Sequence, residues 1–297
     1  MFPGREPTND GMADADIHAT LGADAFGGLR DLVLKAGGID LSLYKNKCLL
    51  RRITARQRAC GIPDLHAYLK LVSRDPAERS RLVNHLTIHV SQFFRNPSTF
   101  QAIQDEVLPT ILARKQAGGG RALRLWSVGC ACGEEPYTLA ILLLEMEAPV
   151  LHQYSTAIYA TDIDPTSLHQ AKEARYSPAS LASVPARCRR RYFIQERDRY
   201  QVTPEVRRLV FFKGHNILDP LPFGRIDLVV CRNVLIYMTE TLQQRVLLAL
   251  VEALNPGGFL VLGKVEGLSG AAHELLESVD VAERIYRKPE EQLSRPT

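Results

Sequence analysis

Apolar positions along this 297-residue chain follow two rhythms, and the rhythm changes near residue 120. Up to residue 90 they recur at helical spacing. Phe26, Leu29, Leu32 and Val33 share one face, and Leu65, Tyr68, Leu69 and Val72 repeat the pattern. Gly61-Ile62-Pro63-Asp64 breaks the two, with Asp64 placed to cap the helix that follows. Between them runs Leu49 to Arg58. Helical spacing there predicts that Leu50 and Ile53 pack inward while Arg51, Arg52, Arg56 and Arg58 project to one side.

From Leu123 onward short apolar runs alternate with helical stretches, the pattern of a mostly parallel sheet. Strands are predicted at Leu123–Val128, Ala157–Thr161, Leu209–Lys213, Ile226–Cys231 and Phe259–Gly263. Helices are predicted at Pro136–Glu147, Pro165–Ala174 and Thr241–Leu254, the last before a turn at Asn255-Pro256-Gly257-Gly258. Val279–Arg287 alternates and is expected to close the sheet as one antiparallel strand. Residues 177–208 interrupt the alternation. They are rich in Arg and Pro and carry two β-like runs, Arg191–Gln195 and Arg199–Thr203, about the charged turn Glu196-Arg197-Asp198, which reads as an inserted hairpin.

Composition narrows the class. At 45% hydrophobic and 24% charged, the chain is ordinary for a globular protein, long enough for one large domain and a small one. No apolar run approaches the ~20 residues of a membrane span. The polar N-terminal stretch, Met1 to Gly22, is expected to be neither a signal peptide nor ordered. Six scattered cysteines without a CxxC pair or Cys/His ligand spacing predict free thiols in a reducing cytoplasm and no metal site. His85 and His89 stand four apart but lack the HExxH pattern. Net charge is +4, yet residues 21–90 hold twelve Lys/Arg against six Asp/Glu, so the excess is concentrated where an acidic macromolecular partner could dock.

The candidate chemistry gathers at strand ends. Trp126-Ser127-Val128-Gly129-Cys130-Ala131-Cys132-Gly133-Glu134-Glu135-Pro136-Tyr137 runs from a strand through a glycine-bounded loop into a helix, the opening of a nucleotide-binding α/β fold. Two carboxylates there would repel a pyrophosphate. They suit a cationic ligand bearing hydroxyls, and S-adenosylmethionine has a sulfonium, an ammonium and a ribose. Asp162, at the end of the second strand, is placed to receive ribose hydroxyls, while Asp164, directly before Pro165, is the better helix cap. His215-Asn216-Ile217 and Cys231-Arg232-Asn233-Val234-Leu235-Ile236-Tyr237 follow later strands and should face the same cleft. Phe93 and Phe94 are expected to pin the segment His89 to Pro97 into the core.

Five ordered stretches carry a resemblance: Ser91-Gln92-Phe93-Phe94-Arg95; Trp126 to Tyr137 with its GEEPYT; Ala160-Thr161-Asp162-Ile163-Asp164; Cys231 to Tyr237; and Pro256-Gly257-Gly258-Phe259-Leu260 with Gly263 and Glu266. In order and spacing they resemble the CheR family, chemotaxis receptor glutamate O-methyltransferases, over about residues 25–288. The resemblance implies an α/β fold, a class I S-adenosylmethionine-dependent methyltransferase with a Rossmann-like, mostly parallel sheet. An all-helical N-terminal domain and a small inserted antiparallel β-subdomain would accompany it. It divides the chain into a tail (1–20), a helical receptor-recognition domain (21–90), a methyltransferase domain (91–288) with its insertion at about 177–208, and a tail (289–297).

It implies that His89, Ser91, Arg95, Gly129, Glu135, Asp162, Asn216, Ile217, Cys231, Arg232 and Asn233 bind S-adenosylmethionine, with S-adenosylhomocysteine as product. Arg95 and Tyr237 would sit at the reacting centre, and Arg51, Arg52, Arg56 and Arg58 would bind the substrate. His89 stands where many members have a polar amide, and Ser91 where threonine is common. The implied partners are cytoplasmic helical segments of methyl-accepting chemotaxis proteins, with no nucleic acid and no membrane insertion. Members that grip a receptor's C-terminal tail peptide have a longer, glycine-containing hairpin turn; here Arg191 to Thr203 has no glycine, so no tail tether is expected. Two rivals remain. A nucleic-acid methyltransferase usually carries Asn/Asp-Pro-Pro-aromatic where this chain has Cys231-Arg232-Asn233-Val234, and the intact Glu135, Asp162, Arg95 and Tyr237 argue against a non-catalytic S-adenosylmethionine-sensing adapter. A nicotinamide dehydrogenase is disfavoured by the acidic loop.

Overall fold

The computed structural model describes residues 21–37, 39–86, 91–146, 153–219 and 224–290. The N-terminal tail and His89 lie outside the described residues. The chain divides into two compact units, Met1–Thr87 and Ile88–Thr297.

The first unit is helical: α1 (Ala23–Gly37), α2 (Asn46–Ala59), α3 (Leu65–Arg74) and α4 (Pro76–Leu86). Its core is the apolar stripe read from the sequence, with Phe26, Leu29, Val33, Ile53, Tyr68, Val72 and Leu82 all buried. Asp64 caps α3 by accepting the Ala67 N–H at 2.7 Å. The arginines of α2 do not form the single projecting row expected of them. At 100° per residue, Arg52 and Arg56 fall beside the buried face of Leu49, Ile53 and Gln57, whereas Arg51 and Arg58 lie roughly opposite it. Arg52 is accordingly buried and donates to the Leu86 carbonyl. Arg56 makes a bidentate pair with Glu78 at 2.7 Å on both oxygens. Only Arg51 and Arg58 are exposed.

In the second unit, α5 (Pro97–Ala102) passes through a π-helical turn, Ile103–Val107, into α6 (Leu108–Ala117). The sheet strands follow: β1 (Ala122–Val128), β2 (Ser155–Asp162), β6 (Val210–Gly214), β7 (Ile226–Cys231), β8 (Leu254–Leu262), β9 (Glu277–Asp280) and β10 (Ile285–Arg287). Their spatial order is β6-β2-β1-β7-β8-β10-β9. β6, β2, β1, β7 and β8 are mutually parallel, and β10 runs antiparallel to both β8 and β9. The predicted final strand is therefore a hairpin: Ala282 and Glu283 turn the chain by donating to the Asp280 side chain. The predicted Asn255–Gly258 turn is instead the irregular start of β8, where the pairing with β7 shifts between Ile226 and Leu228. Gly258 is required there, because a Cβ would lie 2.9 Å from the Asn255 carbonyl oxygen.

Helices α7 (Glu134–Glu145), α8 (Pro165–Glu173) and α11 (Glu240–Ala253) connect the strands. Ile158, Leu125, Leu228, Val230 and Val261 fill the core, fully buried. Phe93 joins that core edge-on against Tyr176 and Phe193, at 4.8 and 5.0 Å between centroids. A second sheet, β3 (Arg175–Tyr176), β5 (Arg199–Val202) and β4 (Phe193–Glu196) in that order, is antiparallel throughout, with helices α9 (Ala186–Tyr192) and α10 (Pro204–Arg207) beside it in sequence. Glu196 pairs with Arg199, so the β4–β5 turn is two residues, with Arg197 at φ 53°. No helix among the described residues is long and apolar enough to cross a membrane. All six cysteines are free thiols.

Candidate active site

Strand order reverses at β1: the chain proceeds to β2 and β6 on one side and to β7 and β8 on the other. Ligand clefts of open α/β sheets form outside the carboxyl ends of strands at this point. Register brings those ends level, with Val128 opposite Thr161 on β2 and opposite Cys231 on β7, and Cys231 opposite Leu262 on β8. The loops beginning at Gly129, Asp162, Arg232 and Gly263 therefore leave from one edge.

A cleft of about 230 Å³ opens there, lined by Ser91, Gln92, Arg95, Gly129, Ala131, Glu135, Arg232, Asn233 and Tyr237. Seven of the residues expected at the site thus share one cavity, and Arg95 and Tyr237 are among them. Gly129 sits at φ +65°, and a Cβ there would come within 2.6 Å of Val234 Cγ2. Glycine is the residue that lets this loop turn so closely above β7.

Glu135 is the charge centre of the cleft. Its Oε1 accepts from Ser127 at 2.9 Å and its Oε2 faces Arg232 Nη1 at 3.4 Å. Burial pushes its carboxyl above the ordinary range, and the Arg232 guanidinium pulls it back. Arg232 is itself held through its terminal nitrogens and its ring contact: it donates to the Arg95 carbonyl at 2.7 Å and to Asn96 Oδ1 at 2.8 Å, and lies over the Phe100 ring at 5.1 Å. It joins the 91–96 segment to the first turn of α7.

Neighbouring Glu134 is buried with Oε2 unpartnered, and burial pushes its carboxyl up while a Ser91 hydrogen bond opposes the shift. One partly buried acid in the lining, Glu135, suits a cationic ligand and would penalise an anionic one.

Four expected residues stand around the cleft rather than in its lining. Asp162 accepts the Ala131 N–H at 2.8 Å and the Asp164 N–H at 2.9 Å, one on each oxygen, and so shapes the glycine loop. Each oxygen keeps a second lone pair for a hydroxyl. Asp164 caps α8 through Thr166 and Ser167. The His215 N–H donates to the Asp162 carbonyl at 3.0 Å, which sets Asn216 and Ile217 beside Asp162. Asn216 Oδ1 accepts the Leu218 N–H at 3.1 Å. Cys231 is fully buried, and burial pushes its thiol well above the usual range. The same holds for Cys130, so neither offers a thiolate nucleophile. Among the described residues no His/Cys/Asp/Glu cluster could hold a metal.

Two lining residues escaped sequence reasoning. Gln92 donates to Ser183 Oγ, a contact 91 residues away in the chain that no local pattern announces. Ala131 has φ 47° and presents main chain, and its cue was only the glycine loop around it.

Both units resemble known proteins. The model of the CheR methyltransferase all-alpha domain matches residues 24–87, and that of the CheR methyltransferase SAM binding domain matches residues 89–285. Chemotaxis protein methyltransferase 2 of Pseudomonas aeruginosa is 33% identical over 278 residues, 90% of this chain and 94% of that one. The chemotaxis protein methyltransferase of Listeria innocua is 32% identical over 235 residues, 79% of this chain and 87% of that one. An uncharacterized 104.1 kDa protein of Rhodobacter capsulatus is 35% identical over 246 residues, 83% of this chain, which spans only 26% of that longer protein. With both domains matched in order and the cleft residues in place, this chain belongs to the CheR methyltransferase family and binds S-adenosylmethionine as its cofactor.

Proposed function

We propose that the protein transfers the methyl group of S-adenosylmethionine to glutamate side chains of bacterial chemoreceptors, forming glutamyl methyl esters. The observation that carries this reading is the meeting of Arg95 and Tyr237 with the part-buried Glu135–Arg232 pair in one cleft. A glutamate side chain has an unperturbed pKa of about 4.3 and is a carboxylate at neutral pH, so the acceptor needs no general base. When bound, the cofactor supplies an electrophilic methyl carbon whose bond to sulfur breaks as the carboxylate oxygen attacks, leaving a neutral thioether and a neutral ester.

The chain's own residues then have three tasks. Glu135 offsets the cofactor's positive charge in a site shielded from water. Asp162 offers its remaining lone pairs to the ribose. Arg95 holds the incoming carboxylate by paired hydrogen bonds, and Tyr237 confines it, so that attack proceeds in line. Ser91, Gly129, Asn216, Ile217, Cys231, Arg232 and Asn233 complete the cofactor cradle, several of them through main chain. His89 belongs to the same proposed set.

The exposed Arg51 and Arg58 of the helical unit would meet acidic helical receptor segments. The β4–β5 turn is only two residues and has no glycine, so it offers no flexible clamp for a peptide, which supports methylation without a tail tether. The setting proposed is the bacterial cytoplasm.

The test is chemical. A receptor cytoplasmic domain is incubated with methyl-tritiated S-adenosylmethionine and then treated with mild alkali. Glutamyl esters release volatile methanol. Label that survives alkali, or that enters nucleic acid instead, would overturn the reading.

A further inference from the structure

Glu266 is a buried carboxylate whose hydrogen bonds, among the described residues, come from main-chain N–H groups alone. Oε2 takes those of Asn233 at 2.8 Å and Gly263 at 2.7 Å, and Oε1 takes those of Leu235 at 2.8 Å and Ile236 at 3.2 Å. Four donors on two oxygens use the acceptor capacity of an ionised carboxylate almost fully.

Three of the four donors belong to the loop after β7, between Arg232 and Tyr237. Local preference does not favour that path: Asn233 adopts φ 60°, and a 3-10 turn, Leu235–Tyr237, follows at once. A carboxylate from beyond β8 thus supplies what the loop's own sequence does not.

The approach leaves no slack. A Cβ on Gly263 would come within 2.5 Å of Glu266 Oε2 and 3.0 Å of the Asn233 nitrogen, so only glycine admits this contact. The resulting loop sets two cleft-lining side chains, Asn233 and Tyr237. Arg232, by contrast, is anchored independently through Glu135, Arg95 and Asn96.

We propose that Glu266 is a positioning residue for methyl transfer. Its carboxylate fixes the Asn233–Tyr237 loop, and Gly263 makes room for it, so that Tyr237 confines the acceptor beside Arg95. This rests on the reaction proposed above. A glutamine could satisfy at most two of the four donors, because its amide nitrogen would face N–H groups. An error of about 1 Å in the position of a reacting-centre group costs on the order of 100-fold in rate.

The experiment compares wild type with Glu266→Gln and, separately, Gly263→Ala, which disturbs the contact without removing the charge. Three quantities are read: the single-turnover rate on a receptor cytoplasmic domain at saturating cofactor, the calorimetric affinity for S-adenosylhomocysteine, and hydrogen exchange over residues 233–237. Both variants should lose about 30-fold or more in rate, lose clearly less in affinity, by about threefold to fivefold through the displaced Asn233, and exchange faster at 233–237. An unchanged rate, or a rate loss matched by an equal loss of affinity, would overturn the proposal. So would failure of both variants to fold, which would make Glu266 a structural strut. If wild type methylates no receptor, the reaction reading fails instead, and unaltered exchange at 233–237 in the variants would then refute the positioning role separately.

Discussion

Two buried carboxylates, one in each unit, are satisfied by opposite means. Glu78 in the helical unit is 2% exposed and is met by side chains: a bidentate Arg56, the Tyr68 hydroxyl at 3.0 Å and the Cys60 thiol at 3.3 Å. Glu266 in the sheet unit is 5% exposed and is met by four backbone N–H groups. The first arrangement ties α2, α3 and α4 to one another, because Arg56 and Cys60 come from α2 and its C-cap, Tyr68 from α3 and Glu78 itself from α4. The second ties no helices together; it dictates the main-chain path of a loop that carries cleft residues. Loss of the first carboxylate should therefore appear as lost stability, and loss of the second as lost geometry.

The largest effect expected from this contrast is at Glu78. Removing one partner of a buried, hydrogen-bonded ion pair costs about 3–5 kcal/mol, so Glu78→Ala should lower the melting temperature of the helical unit sharply. Affinity for S-adenosylhomocysteine, a property of the other unit, should persist. The Arg56 hydrogen bonds hold the Glu78 carboxyl down at about 2, against an ordinary 4.5. A depressed acid stabilises the fold above its unfolded pKa and loses that contribution as pH falls toward its folded one. Denaturant titrations should therefore show the helical unit weakening between about pH 4.5 and 2, and Glu78→Ala should flatten that dependence.

Glu135 comes next. Replacing it with glutamine keeps the Ser127 contact and deletes the charge. A hydrogen bond to a charged group is worth about 1.5–3 kcal/mol, so cofactor affinity should fall roughly 10- to 150-fold. S-adenosylmethionine should suffer more than its uncharged-sulfur product, and calorimetry with both ligands checks the order. Equal losses would remove the charge argument. Because burial raises the Glu135 carboxyl, wild-type cofactor binding should begin to weaken with acid above the pH at which an exposed glutamate titrates.

Smaller again is the surface effect in the helical unit. Arg51→Glu with Arg58→Glu should reduce kcat/KM for receptor methylation by about 3- to 10-fold at low salt, fading as ionic strength shortens the screening length below about 8 Å. Cofactor affinity should not move. The smallest effect is deletion of the receptor's tail peptide, which should change the rate by less than about twofold if the proposed tether-free methylation holds.

The contrast also explains what could be read from the sequence. The strand–loop–helix opening at Trp126 to Tyr137, the β7 strand and the α3 cap at Asp64 were legible because each depends on near neighbours. The division of the α2 arginines was not. A row of four cations looks like one solvated face until Glu78, 22 residues beyond Arg56, draws that side chain inward. Glu266 stood in a recognised stretch without a role, because its partners are main-chain groups about 30 residues away and leave no side-chain signature. Asp162 read as a ribose acceptor, and its two backbone bonds to Ala131 and Asp164 became visible only in the folded chain. The β9–β10 hairpin was hidden by an alternation that continues through its turn.

The central claim is that this cleft works by orienting an already ionised carboxylate, with no proton to remove. The most direct measurement is the single-turnover rate on a receptor cytoplasmic domain, at saturating cofactor, from about pH 6 to pH 9, a range in which a glutamate with a pKa near 4.3 stays ionised. The account predicts a flat profile for wild type and a lower but equally flat one for Arg95→Ala. A rate that climbs about tenfold per pH unit would reveal a required deprotonation and would contradict it.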